Sequence, residues 1–304
     1  MDEQFRSGYA TIIGPPNVGK STLMNAFLGQ KISIVTHKPQ TTRHRILGIH
    51  SADDHQVIFL DTPGIITPRY RLQELMMEYA TSAINDGDVL LFMADALSPG
   101  IPSVKDEAPE NSEAFRLLKG LEKPVFLLIN KIDIVNKESL LPVIDGYSRA
   151  FPFREIFPIS ALKGIGTAEA LSSIAKALPQ HPPYYPLDIL SDHQERFFVC
   201  EIIREKIFLK CQKEIPYSTT VDIVEFKERE AGKWFISADI CVGRDSQKGI
   251  IIGKKGAMLK EIGRLARNEI ETFLQHRIFL DLHVKVRKDW RDDNEWLRRL
   301  GYNA

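Results

Sequence analysis

Two stretches of the chain join glycine to lysine in a way that could hold phosphate: GPPNVGKS at 14–21 and IIGKKG at 251–256. The first fits G-x-x-x-x-G-K-[ST], with an apolar strand pattern before it and a helix pattern after it. In that setting a loop of Gly14, Pro15, Pro16, Asn17, Val18 and Gly19 wraps phosphate oxygens with backbone N–H groups. Lys20 then meets the β- and γ-phosphates, and the Ser21 hydroxyl is placed to ligate Mg²⁺.

Four more segments specify the chemistry. In NKID (Asn130, Lys131, Ile132, Asp133) the Asp133 carboxylate can accept from both the ring N–H and the exocyclic amine of guanine, a pair that adenine lacks. Asn130 would brace the loop around that base. SAL (Ser160, Ala161, Leu162) offers backbone N–H groups to the guanine oxygen. DTPG (Asp61, Thr62, Pro63, Gly64) ends a strand, so Asp61 can hold Mg²⁺ through water and the Gly64 N–H can meet a γ-phosphate. A threonine of Thr41–Thr42 can complete the metal shell. Segments that the γ-phosphate orders and hydrolysis loosens are switches. Guanine selection with two switches implies a GTPase that uses GTP, GDP and Mg²⁺.

The candidates for the hydrolytic step are Asn17, Lys20, Thr42 and Gly64. After Gly64, related switches carry a glutamine that orients the attacking water; here Ile65 has no group for that task. Asn17 has two readings that the residues do not separate. It either helps hold K⁺ against the phosphates, in place of an arginine's charge, or stabilises the loop.

The second loop has no Ser or Thr after its lysines, and its glycines are too close to enclose a triphosphate. It fits the G-x-x-G turn that meets the backbone of single-stranded RNA. From Arg244 to Arg264 there are six basic and two acidic residues. Ile251, Ile252, Gly253, Lys254, Lys255, Gly256, Lys260 and Arg264 are therefore the candidate RNA contacts, with the two isoleucines expected to line the groove where bases lie.

Near-continuous apolar runs at 9–14, 56–61, 88–95, 124–130 and 155–160 read as buried strands, and helical patterns lie between them at 20–29, 71–85, 110–120 and 167–178. This βαβ rhythm predicts an α/β domain with a mostly parallel sheet and its functional loops at the strand ends. Four prolines in LPQHPPYYPLD end the rhythm and suit an extended spacer. The expected division is a nucleotide domain over 1–178, a linker over 179–190 and a smaller α+β domain over 191–304. In the latter we expect a helix at 193–210, strands at 219–227 and 233–242, the glycine turn, a helix at 255–275 and a strand at 278–287.

Bulk properties exclude little. The 40 basic and 40 acidic side chains balance, and the halves differ only mildly: 18 against 21 up to residue 190, then 22 against 19. The three cysteines show no C-x-x-C pair and are expected as reduced thiols. No signal segment opens the chain and no apolar run approaches the length of a bilayer span, so a soluble, cytoplasmic protein is expected.

The chain resembles the Era GTPases nearly end to end. The resemblance is carried by GPPNVGKSTLMN, QTTRHRILGIH, DTPG, NKID and SALKG, then PPYYPLD, SDHQERFFVCEIIREK, EIPYS, KGIIIGKKGAMLKEIGRLAR, VKVRKDWRDD and the terminal LGY. It implies a Ras-like G domain followed by a type II KH domain, and a monomer. It also implies binding of the 3′ end of 16S rRNA, a role in maturation of the small (30S) ribosomal subunit and, for some members, peripheral contact with the inner membrane. Carried over by position, the nucleotide contacts fall on Gly14–Ser21, Asp61–Gly64 and Asn130–Asp133, with Thr42 as the Mg²⁺ threonine. Lack of the water-positioning glutamine is a trait of this family, which favours the K⁺ reading of Asn17. Pro15 departs from the arginine often found there. Two rivals stand beside this reading: a related GTPase acting on another RNA in translation or tRNA modification, and a membrane-associated switch whose second domain binds protein.

Overall fold

The protein is described here from a computed structural model, for residues 5–97 and 114–302. The described residues fall into two compact units, one reaching Arg69 and continuing over Met76–Asp192, the other comprising Tyr70–Leu75 and His193 onward.

In the first unit β1 (Arg6–Ile13), β3 (His55–Asp61), β4 (Val89–Asp95), β5 (Val125–Asn130) and β6 (Glu155–Pro158) are all parallel. With one further strand, β2 (Ile46–Ser51), their sheet has the order β2-β3-β1-β4-β5-β6. Every residue of β5 and all but the last of β4 are buried, as a sheet covered on both faces requires. β1 lies between β3 and β4, so strand order reverses there, and the loop leaving β1 opens onto the crevice where such folds bind ligands. That loop runs directly into α1 (Lys20–Leu28).

The sequence expectations missed two elements of this unit. β2 (Ile46–Ser51) is an antiparallel edge strand on β3. Gly48 interrupts its apolar pattern; a Cβ there would meet the Leu28 side chain at 2.7 Å, so a larger residue would have to displace the side-chain ends of α1. A helix (Lys137–Ala150), called α3 below, carries Pro142 inside it, which removes a backbone donor and blurs the pattern in the sequence. The helix expected at 110–120 lies partly outside the described residues. α2 (Arg71–Asp86) and α4 (Thr167–Ala177) form close to expectation. The far end of α2 is tied to Lys123, whose ammonium donates to the carbonyls of Ile84 (2.7 Å), Asn85 (3.0 Å) and Gly87. A cation here satisfies carbonyls that a helix end leaves unpaired.

The proline-rich stretch is bonded to the first unit along its length, in contrast to the expected spacer. Ser7 N–H donates to Pro179 O, His181 N–H to Phe5 O and Ile49 N–H to Leu190 O. The Gln56 amide accepts from the N–H groups of Tyr184 and Tyr185 and donates to Tyr185 O. Proline has no N–H to place in a ladder, so the segment is held by its carbonyls and by the residues between the prolines.

The second unit opens with α5 (Glu195–Lys210) and has a three-stranded sheet of order β7-β8-β9: β7 (Thr219–Lys227), β8 (Trp234–Val242) and β9 (Ile278–Val286). β8 is antiparallel to β7 and parallel to β9. Between β8 and β9 lie α6 (Asp245–Ile252), a turn over 253–256 and α7 (Ala257–Leu274). Ile207, Ile240, Ile251, Ile262 and Ile270 meet in its core. α5 reads as a charged helix in the sequence, yet Phe198 and Val199, then Glu201 to Phe208, are buried. Its charges go in as pairs, Glu201 with Arg204 and Lys206 with both Glu205 and Glu269. α8 (Asn294–Arg299) closes the described chain.

None of the three cysteines forms a disulfide. The Cys241 thiol is pushed up to about 11, first by burial and then by the charge of Asp239. Among the described residues no helix is long and apolar enough to cross a membrane.

Candidate nucleotide site and nucleic-acid groove

A cleft of about 430 Å³ opens at the end of β1. Five separated segments line it: the phosphate loop, a stretch between Ile34 and Thr42, Gly64, the group Asn130, Lys131, Asp133 and Ile134, and Ser160 with Leu162. Backbone geometry explains the loop's composition. Gly14 and Gly19 have φ of 152° and 106°, a Cβ on Gly14 would meet Met93 O at 2.5 Å, and one on Gly19 would collide with the Asn130 amide. Asn17 also has positive φ, 62°, a conformation asparagine adopts more readily than most residues. Its side chain is exposed on the cleft.

Lys20 is buried and donates to Gly14 O (3.2 Å) and Pro15 O (2.9 Å), which strings its ammonium across the loop. Burial lowers its pKa to about 8 against the opposing pull of Asp61. Gly64 packs on the loop, where a Cβ would stand 2.9 Å from Pro16 Cα. Ile65 turns the other way, into the core beside Ala80, Ile84 and Phe92, so its side chain does not approach the cleft.

Ser21, Thr42 and Asp61 converge. Ser21 Oγ donates to Asp61 Oδ2 at 2.6 Å and lies 2.8 Å from Thr42 Oγ1. Thr41 points elsewhere, bonding Thr36 Oγ1 and Lys38 O, so the geometry selects Thr42 from the pair. Asp61 Oδ1 is buried without a hydrogen-bond partner, and burial raises the carboxyl's pKa. Two hydroxyl oxygens beside a carboxylate that keeps one oxygen unsatisfied fit a Mg²⁺ shell. Adjacent oxygens of an octahedral Mg²⁺ site stand about 2.9 Å apart for metal–oxygen bonds near 2.05 Å.

At the base end, Asn130 donates to Val18 O (2.8 Å) and accepts from Ala161 N–H (2.9 Å), bridging three segments. Asp133 is exposed on the cleft. Exposed Val35, Ile134 and Leu162 give this end apolar walls. Val35 and Ile134 went unnoticed in the sequence because an apolar residue beside a motif carries no signal of its exposure.

Several expected contacts are engaged differently. Thr62 Oγ1 donates to Ile12 O inside the sheet. The Ser160 and Ala161 N–H groups go to Ile165 O and Asn130 Oδ1, so neither of these SAL amides is aimed at guanine. Ile132 N–H donates to Ile159 O, and Lys131 pairs with Asp95. Gly14, Pro15, Val18, Asp61, Pro63 and Ala161 stand behind the residues that line the cleft.

In the second unit the GKKG turn joins α6 to α7. Gly253 has φ 72° and ψ 176°, a combination open almost only to glycine, and a Cβ would meet Met258 Cβ at 2.7 Å. Gly256 has φ 77° with nothing within 4 Å of its Cβ position. Lys254, Lys255 and Lys260 are exposed. A groove of about 690 Å³ follows the turn, between α7 and the edge of β9, with Gly256, Lys260, Arg264, Arg267, Leu280 and Leu282 on its walls. Ile251 and Ile252 do not line it. Three consecutive residues on a helix face different ways, and here Ile251 is fully buried, Ile252 packs on the same core and Ile250 is the exposed member. Arg264 donates twice to Glu261, both at 2.9 Å, so its charge is already paired.

These two sites match known proteins in the same order. The 50S ribosome-binding GTPase family profile fits residues 9–131, and a KH domain profile fits residues 214–291. GTPase Era of Geobacter metallireducens is 52% identical over 99% of both chains. The chain belongs to the Era family. GTPase Era of Lacticaseibacillus paracasei is 46% identical over 99% of this chain and 98% of its own. A solved variant of Aquifex aeolicus Era bound to GDP and AlF4⁻ superposes with a TM-score of 0.93 at 42% identity, covering 99% of this chain and 100% of that one. An Era complex with MgGDPNP and nucleotides 1506–1542 of 16S ribosomal RNA matches with the same TM-score, identity and coverage. As an Era-family member the chain is a GTP hydrolase that uses GTP, GDP and Mg²⁺, with a G domain followed by a type II KH domain.

Proposed function

We propose that this GTPase acts in the cytoplasm in assembly of the small ribosomal subunit, holding the 3′ end of 16S rRNA through its KH domain. The observation that carries this reading is the GKKG turn with its groove: a glycine-only backbone, exposed lysines at its rim and leucines along its wall. A single strand laid there meets positive charge at its phosphates and apolar surface at its bases. The Era relative solved with a 16S rRNA fragment supports the same assignment.

In the G domain, Ser21 and Thr42 would hold Mg²⁺ directly and Asp61 through water; the bound ion supplies positive charge to the β- and γ-phosphates. Lys20, already strung across the loop, needs only to exchange carbonyl partners for phosphate oxygens. Asp133 reads guanine while Asn130 fixes the loop behind it. The apolar Val35, Ile134 and Leu162 enclose the base and exclude water.

Crosslinking in cells, mapped to nucleotide resolution, tests the proposal. Crosslinks from the second unit concentrated at the 3′ end of 16S rRNA support it. Crosslinks on tRNA or another RNA, or none with RNA at all, overturn it in favour of one of the rivals.

A further inference from the structure

Asp61 is fixed by a second hydroxyl that no phosphate-loop pattern contains. Its Oδ2 accepts from Ser21 Oγ (2.6 Å) and also from Ser33 Oγ (2.9 Å), while Oδ1 is buried without a partner. Ser33 is fully buried and lies in the irregular segment between α1 and β2, where a hydroxyl would ordinarily be poorly placed. Asn25 removes that freedom. Its side chain accepts from the N–H groups of Ile32 and Ser33 (both 2.9 Å) and donates to Ser33 O (2.7 Å). Asn25 sits one turn beyond Ser21 on α1, so both donors to Oδ2 trace back to the same helix.

The proton inventory sharpens this. A serine has one proton to donate. Ser21 gives its proton to Asp61, which makes Thr42 the donor in the Ser21–Thr42 contact and leaves a Ser21 lone pair for a cation. Ser33 has no such second duty. Its side-chain bond holds Oδ2 and so fixes the rotation of the carboxylate. We propose that Ser33, held in place by Asn25, is a positioning residue for Mg²⁺: it fixes the rotation of the Asp61 carboxylate beside Ser21 and Thr42, the residues that would hold the ion.

The test is the Mg²⁺ dependence of nucleotide release, read with fluorescent GDP on the full chain. In wild type, added Mg²⁺ should slow release from its rate in EDTA, with a measurable midpoint. Ser33→Ala should move that midpoint roughly tenfold higher, the lower end of the range for partners behind a metal shell. Its release rate in EDTA should stay within about twofold of wild type, since the nucleotide itself loses no contact. Asn25→Ala should shift the midpoint in the same direction, and the double variant should shift it no further than Ser33→Ala alone. Ser33→Cys, nearly the same size with a weaker donor, should fall between wild type and Ser33→Ala, and it carries the test if the alanine variant does not fold. An unchanged midpoint in the cysteine or alanine variant overturns the proposal. So does acceleration of release that is equal with and without Mg²⁺, which would make Ser33 a packing residue only.

Discussion

The two glycine-lysine loops differ in what their glycines avoid. At 14–21 the glycines let the loop lie against its own protein, Met93 behind Gly14 and Asn130 behind Gly19. The lysine is buried and the cavity is bounded by five segments. At 253–256 only Gly253 has anything near its Cβ position, and the lysines stand in water. The first loop is built to surround a compact ligand, the second to lie beside a long one. Enclosure gives selectivity through pre-placed partners, whereas an open rim gives charge with little sequence information.

The contrast can be broken first at Lys20. Lys20→Met should cost about 3 kcal/mol of GTP affinity, the upper range for a hydrogen bond to a charged group, and leave RNA binding unchanged. Calorimetry on both ligands checks it. The same lysine predicts a proton linkage. With a folded pKa near 8, below its ordinary 10.5, Lys20 binds fewer protons folded than unfolded between those values. Stability of the nucleotide-free protein should therefore rise with pH across that window through this group. GTP, by restoring the charge, should bind with proton uptake above pH 8.

Asp133→Asn should lose about 2 kcal/mol of GTP affinity and gain affinity for xanthosine triphosphate. Equal GTP titrations for variant and wild type would remove Asp133 from base selection.

Within the second loop the glycines should separate. Gly253→Ala combines a glycine-only conformation with a clash at Met258 and should destabilise the second unit by about 2 kcal/mol. Gly256→Ala should cost about 1 kcal/mol, from left-handed backbone alone. Thermal unfolding of the two variants orders them. If they prove equal, steric enclosure is not what distinguishes these positions.

Lys254→Ala with Lys255→Ala should weaken RNA binding evenly across sequences and lower the salt slope by roughly 1.4, at about 0.7 per phosphate contact. GTP binding should not change. Oligonucleotide titrations at several KCl concentrations, with a scrambled control, read the slope. The smallest effect concerns Asn17. If it holds a cation, exchanging K⁺ for Na⁺ slows GTP hydrolysis in wild type and hardly affects Asn17→Ala. Equal wild-type rates in both salts leave its positive φ as the reason for asparagine there.

What the sequence made legible follows the range of the interactions. The phosphate loop, NKID and the central strands are local patterns, and each lies where it was expected. The edge strand β2 was hidden by Gly48, and α3 by Pro142. Groove residues were misjudged at Ile251 because a run of three isoleucines does not reveal which one a helix turns inward. Arg264 counted as free charge until Glu261, three residues earlier, was seen to hold it. Ser33 was invisible for another reason: its partner lies 28 residues away in the chain.

The Lys123 tether sets a limit on travel. Three carbonyls at the end of α2 converge on one ammonium. That end of the helix is thus an anchor. If loss of the γ-phosphate loosens the stretch that follows Gly64, residues 84–87 should move least, because one ammonium gathers three of their carbonyls.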